Sequence, residues 1–305
     1  MLPYVVLGVL VVWLGVLEPQ SLTFDQFAQI TNIELVLILL GVGQTIVILT
    51  GGIDLSIGGV LSVTNAIAAS HMGTHEDVIV ASLLLVAIGW VPGLVNGVLI
   101  AYGELQPFIV TLATWFIWGG IAFLFLPVTG GLVDPSLGWL STGKVAGVDN
   151  PVVILALVAL FGAWFLRTRL GLEIRSVGSD RESAFQSGLR ERRALIAAYM
   201  LSSWWAVIAG IVLSAQTLSG DPTVGDSYIL PAVAAVVIGG TSLFGGAGTI
   251  VGTAIGALVL AYVYSVTFAV GLSSQWGVIF SGLLLIFTVS LQLLVRVAFR
   301  RRGEI

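Results

Sequence analysis

The chain has 305 residues, of which 57% are hydrophobic and 9% charged, with a formal net charge of −4. Soluble domains carry about 25% charged residues, and no globule of this size could hide so much apolar surface, so a water-soluble fold is excluded and the bilayer is the solvent. Cysteine is absent, which excludes disulfides and cysteine-based metal sites.

Lipid requires every backbone polar group to be paired within the protein, which leaves helices or a closed barrel. The apolar runs are about 17–25 residues long, enough to cross roughly 30 Å as helix, and lack the short alternating pattern of a barrel. The expected fold is all-α: a polytopic helical bundle of about ten transmembrane helices forming a single transmembrane domain over 1–305.

The first predicted span, 1–17, begins MLPYVV without a basic leader, so a cleaved signal is not expected. The second, 30–50, opens at Thr31-Asn32-Ile33-Glu34, whose spacing is that of a capping box and gives Glu34 a structural role. The third, 53–70, starts within a glycine-rich stretch and is read as broken or short. Spans 78–100, 107–127 and 151–166 follow, with Pro107 and Pro151 suited to first helical turns, where no N–H is needed. After 194–217 comes 229–244, again glycine-rich and read as interrupted, and then 249–270 and 276–295.

Seven of the twelve basic residues fall in one loop, as Arg167, Arg169, Arg175, Arg181, Arg190, Arg192 and Arg193. Four more, Arg296, Arg300, Arg301 and Arg302, lie near the C-terminus. Positive loops stay inside, so the loop 167–193 and both termini are expected in the cytoplasm, separated by an even number of crossings.

Four features carry candidate chemistry. Asp54 follows two glycines inside a hydrophobic region, where a charge is expensive unless it caps a half-helix or faces water. It is either a cap near the membrane surface or a residue on a permeation path. Gln44, Asn65, Asn96, Thr111 and Thr114 are further pathway candidates, and each could equally bond between helices. In the basic loop, Ser179-Asp180-Arg181-Glu182 has capping-box spacing. A short helix is therefore expected from near 180 to about Gln186, ended by Gly188, and it is either a docking surface or a solvated loop that fixes topology. Gly248, Gly252 and Gly256 recur every four residues, as helix-packing positions do. The segments from Gly51 to Gly58 and from Gly239 to Gly246 share a GGxxLxxG frame, a faint internal echo in the same predicted direction.

Other motifs carry nothing. Gly138 to Lys144 has a phosphate-loop frame, but Val145 stands where the Mg²⁺-binding Ser or Thr is needed. His71 and His75 lack the intervening Glu of a zinc motif. No catalytic or metal site is expected, and no nucleic-acid partner.

Four stretches in order resemble the permease subunits of carbohydrate ABC importers of the ribose, xylose, arabinose and galactofuranose type. They are GGIDLSIGG (51–59), VNGVLIAYGELQPFIVTLAT (95–114), GLEIRSVGSDRESAFQSGL (171–189) and AAVVIGGTSLFGGAGTIVGTAIGALV (234–259). The resemblance implies a type II importer-like fold and a second permease subunit, identical or not. It further implies a periplasmic sugar-binding protein and a cytoplasmic ATPase that holds the ATP and Mg²⁺. It makes 178–188 the coupling helix, with Gly178, Ser179, Asp180, Arg181, Glu182, Ala184 and Gly188 at the ATPase contact. The chain departs from the family where relatives carry acids in a segment like YELDAIAA. Ile229 and Pro231 stand there instead, which implies a different substrate or pairing with a non-identical permease. The rival readings are an ABC permease for another solute, such as branched-chain amino acids, and an ion-coupled transporter. The scarcity of intramembrane charges argues against the second.

Overall fold

The computed structural model describes residues 2–301, with side chains to residue 291; the C-terminal basic cluster of the sequence reading lies outside the described side chains. Fourteen helices make up the described chain: α1 (Leu2–Leu17), α2 (Phe24–Ile48), α3 (Ser56–His71), α4 (His75–Ile88), α5 (Val91–Ala101), α6 (Pro107–Phe125), α7 (Trp139–Thr142), α8 (Asn150–Phe165), α9 (Arg169–Ser179), α10 (Arg181–Gln186), α11 (Glu191–Thr217), α12 (Ile229–Ile238), α13 (Ile250–Ala269) and α14 (Ser274–Arg301). A two-residue antiparallel hairpin, Lys144–Val145 with Val148–Asp149, is the only named sheet among them.

Six spans are long and apolar enough to cross a membrane, α4 and α5 together counting as one, and a seventh is added if the bent pair α8–α9 is a single span. The other three predicted spans are shorter helices, of 16 residues in α1 and α3 and 10 in α12. Ten residues of helix rise about 15 Å, half of a roughly 30 Å hydrocarbon core. The protein is thus an all-α helical bundle with interrupted spans. The long helices α2 and α11 form its centre, α11 packing on α2, α3 and α5, and α13 packing on α1, α2 and α12.

Helix packing is closest where small residues face a neighbouring backbone. Gly93 and Gly97 of α5 lie on the backbone of Tyr199, Met200 and Ile196 in α11. Gly252 and Gly256 of α13 lie on Gly239 and Ala235 at the end of α12. The third glycine of that sequence pattern does not share the helix face. Gly248 precedes α13, whose N-cap is Thr249, and its φ of +157° sets the chain in the loop against Thr241.

The start of the second span also differs from expectation. α2 begins at Phe24, with Thr23 as its cap accepting from the Gln26 N–H, so Thr31 to Glu34 sit within the helix and form no capping box. Hydropathy marks only the apolar part of a helix, and the polar Asp25-Gln26 turn continues α2 beyond it. Glu34 is therefore left without the structural role its spacing suggested.

Candidate functional site

Three interruptions in the spans define the interior, and each is repaired by side chains from a neighbouring helix, as lipid demands of any non-helical backbone at membrane depth. Between α4 and α5, the Ser203 hydroxyl of α11 accepts from the Gly93 N–H (3.0 Å) and donates to the Gly89 carbonyl (2.5 Å). Between α2 and α3, the Thr111 hydroxyl donates to the Ile53 carbonyl (3.2 Å). Before α12, chain 219–228 runs inward without regular helix apart from a 3₁₀ turn, Val224–Tyr228. Asn65 donates to Ser214 Oγ (2.9 Å) and to the Ser219 carbonyl (3.2 Å) and accepts from the Asp221 N–H (2.8 Å), while Ser62 Oγ accepts from the Gly225 N–H (3.0 Å). Gly225 lies on the Gly58 carbonyl. Gly58 is about thirteen residues, roughly 20 Å, down α3 from His71. The eighth span is therefore extended chain in one half and helix α12 in the other.

The pathway candidates separate on this frame. Asp54 and Asn96 are brought together, both wholly buried. Ser56 donates its N–H (3.0 Å) and hydroxyl (2.6 Å) to Asp54 Oδ1, and Asn96 Nδ2 donates to Ser56 Oγ (2.8 Å), with Ser202 and Tyr199 beside the carboxyl. Gln44 is wholly buried with neither amide atom paired among the described residues. Thr114 bonds back to the Val110 carbonyl of its own helix (3.1 Å). Asn65 and Thr111 are the clips already described, remote from one another. None of these six lines the two cavities described next.

The loop 167–193 folds as two helices at a sharp elbow, α8 and α9 meeting at 71°. Helix α10 forms where the spacing predicted it, but Asp180 caps it in place of Ser179, which closes α9. Asp180 accepts from the Glu182 N–H (3.0 Å), the Ser183 N–H (3.1 Å) and the Ser183 hydroxyl (2.7 Å). These donors, those of Ser183 first, hold its carboxyl below the usual carboxylate range. Gly188, at φ +75°, turns the chain out of α10 in the left-handed region. Arg181 pairs with Glu191 at the start of α11 (2.7 Å), and the Arg192 guanidinium lies 4.9 Å from the Tyr102 ring centre at the end of α5. Ala184 is buried beneath α10, whereas Phe185 is 71% exposed on it and Glu182 is exposed.

The elbow is seated on both glycine-rich turns. Gly178 lies against the Leu49 carbonyl and 2.9 Å, at its missing Cβ, from the Gly246 nitrogen, and Arg175 Nε donates to the Gly246 carbonyl (3.3 Å). The turns also bond each other, Gly246 N–H donating to the Leu49 carbonyl (3.0 Å). The two GGxxLxxG segments of the sequence thus meet at the foot of the elbow. A polar cavity of about 670 Å³ opens beside it, lined by Gly51, Glu104, Gly178, Asp180, Arg181 and Arg192 among others. Sequence reasoning missed Arg175 and Phe185, although an aromatic within a charged turn, SDRESAF, was a readable signal. A second cavity, of about 640 Å³, lies between α2, α12, α13 and α14 and includes Glu34.

A helical bundle with interrupted spans and an amphipathic elbow bridging their turns defines an integral membrane permease. The chain belongs to the family described as branched-chain amino acid transport system / permease component, whose model matches residues 26–289. It is 37% identical over 292 residues to the ribose import permease protein RbsC of Escherichia coli K12, covering 93% of this chain and 91% of that one. It is 35% identical over 311 residues to the probable ABC transporter permease protein y4mJ of Sinorhizobium fredii NGR234, covering 97% and 89%. It is 36% identical over 270 residues to the fructose import permease protein FruG of Bifidobacterium longum, covering 84% and 79%. No solved structure matches the chain. It is an integral inner-membrane protein by family and by its apolar helices.

Proposed function

We propose that this chain is the transmembrane subunit of an ATP-binding-cassette importer that carries a pentose- or hexose-like sugar across the cytoplasmic membrane. The observation that carries the reading is the 37% identity to a ribose import permease over 93% of the chain. The family description names branched-chain amino acids, which keeps an amino-acid permease as the second reading.

In this reading the elbow faces the cytoplasm and docks on a separate ATPase, with both termini on the same side and a periplasmic binding protein delivering solute to the other. A second permease subunit completes the pathway. The chain holds no nucleotide or metal of its own; ATP and Mg²⁺ act in the partner. Exposed Phe185 supplies the kind of aromatic anchor that concentrates binding energy at interfaces. ATP binding can shift the transporter between inward and outward states only by contacting them differently, and Gly178, packed on both interrupted turns, gives such a contact a route into the bundle.

Uptake of labelled ribose, fructose and leucine by vesicles containing the chain, its ATPase and its binding protein tests the reading. Sugar uptake without leucine uptake is expected. Arg181→Ala, Glu182→Lys and Gly188→Pro should leave ATP hydrolysis running while uptake falls at least tenfold. Normal uptake in all three would refute the docking role.

A further inference from the structure

Glu34 is an acid on a membrane-spanning helix with no explanation inside the chain. It stands about ten residues, roughly 15 Å, from the start of α2. It makes no hydrogen bond or ion pair among the described residues. Its surroundings are a half-open groove of about 640 Å³ between α2, α12, α13 and α14. Apolar residues on the rim, Ile33, Leu230 and Val278, are 70%, 74% and 62% exposed. A carboxyl group held against lipid costs about 2.5–3.5 kcal/mol by insertion scales, and such residues face water or a polar partner instead. The groove therefore gives Glu34 room for a polar partner from outside the described chain.

Its chemistry selects among candidates. The polar groups lining it are the carboxyls of Glu34 and Asp226, the phenols of Tyr228 and Tyr264 and the hydroxyls of Ser227 and Ser281. Asp226 is fixed in place by the Trp115 indole, which donates to Oδ1 at 2.8 Å, leaving its other oxygen free to accept. The Ser281 hydroxyl is buried and has no partner among the described residues. Among the described residues, no lysine, arginine or histidine lines the groove. The start of α12 opens on it, where free N–H groups greet an anion, but Pro231 in that first turn has none to offer. A solute carrying a carboxylate or phosphate meets two acids and no cation here. A neutral polyol meets acceptors for its hydroxyls and two aromatic rings for its C–H faces, in a volume within the roughly 300–1,000 Å³ of small-molecule sites.

We propose that this groove is a solute subsite on the translocation path, built for a neutral polyhydroxylated molecule, with Glu34 and Asp226 accepting from its hydroxyls. The assignment rests on the import reading above and goes beyond it in naming the side chains that meet the solute and the charge class they admit. It moves the path away from Asp54, which is sealed, to an acid that sequence spacing assigned to a helix cap.

The chain has no native cysteine, so labelling of the assembled transporter in membrane vesicles, read on this chain after it is separated from its partners, gives a clean test. Gly282→Cys, which lines the groove with open space at its Cβ, should be labelled by a water-soluble methanethiosulfonate reagent, and Leu283→Cys, on the 56% exposed apolar face nearby, should not. Glu34→Leu should lower uptake of labelled ribose or fructose at least tenfold in complexes that still assemble by size exclusion, and Glu34→Gln less, since the amide keeps an acceptor. Leu283→Cys should transport normally. The proposal fails if Gly282→Cys is as inert as Leu283→Cys, which would mean that lipid or a second copy of the chain covers the groove. It also fails if Glu34→Leu transports sugar at the wild-type rate. A wild-type chain that takes up neither sugar counts against the import reading, and the labelling contrast still judges the groove.

Discussion

Two interrupted spans do opposite things with the same liability. At the turn from α2 to α3, the broken backbone is closed on the side of the bundle: Thr111 takes the Ile53 carbonyl, Asp54 binds Ser56, and the Leu49 carbonyl accepts from Gly246, while only its Thr50–Gly52 end borders the polar cavity beside the elbow. At the entry to α12, Asn65, Ser62, the Gly130 backbone and the Trp115 indole hold the chain, and its remaining side opens on the groove with Glu34. A break sealed by protein can pass a displacement on, because its atoms have nowhere else to go. A break left open can receive a ligand. The elbow rests on the first, and the groove borders the second.

The contrast can be broken by substitution. The largest effect is expected from Gly178→Val, whose side chain meets the Leu49 carbonyl and the Gly246 nitrogen with no flexible neighbour to yield. Overpacking of this kind costs about 3 kcal/mol or more when backbone must move, and uptake should vanish together with a lower unfolding midpoint in detergent. Asn65→Leu comes next. It strips donors and acceptors from Ser219 and Asp221, and at about 1–3 kcal/mol for each group left unsatisfied thermal unfolding should show a loss of about 2–4 kcal/mol.

The two acids give the sharpest comparison. Asp54→Leu leaves the buried Ser56 hydroxyl without its acceptor and should destabilise by about 1–3 kcal/mol, with Asp54→Asn recovering most of it. Glu34→Leu, which breaks no described bond, should stay within about 0.5 kcal/mol of wild type while still impairing uptake. Equal destabilisation by both leucine variants, measured in the same detergent, would erase the distinction between sealed and open.

The smallest effect is acid sensitivity at the elbow. Because its hydrogen bonds hold the Asp180 carboxyl below the usual range, the cap of α10 is fully present above the ordinary carboxylate value of about 3.9 and is lost as pH falls through the lower folded value. Limited proteolysis at α10 should be unchanged between pH 7 and 5 and should rise only in stronger acid, while Asp180→Ala is cleaved faster at neutral pH.

Much of the architecture was legible because lipid leaves so few options. Apolar runs located the long helices, and glycine-rich stretches flagged two of the three interruptions; the break between α4 and α5 fell inside a span read as continuous. Capping chemistry found α10 within one residue, since an Asp beside a Ser offers the same acceptor. Spacing failed at Thr31 to Glu34, where the box needs a helix start and the polar residues before it merely lengthened α2. It failed also at Gly248, which keeps the four-residue interval but sits just before the Thr249 cap of α13. Helix α9 was not read, because an amphipathic interfacial helix lacks the continuous apolar run that marks a span.

The sequence by itself determined that the chain lives in lipid, where its long apolar helices run, and that one basic elbow breaks the pattern, because these follow from local composition and the bilayer's intolerance of unpaired backbone. Which polar side chains repair that backbone and which remain free was decided only by tertiary contacts. Asn65 and Glu34 look alike in sequence, single polar residues in apolar helices; the partner that quiets one and is missing for the other comes from chain some 150 residues away.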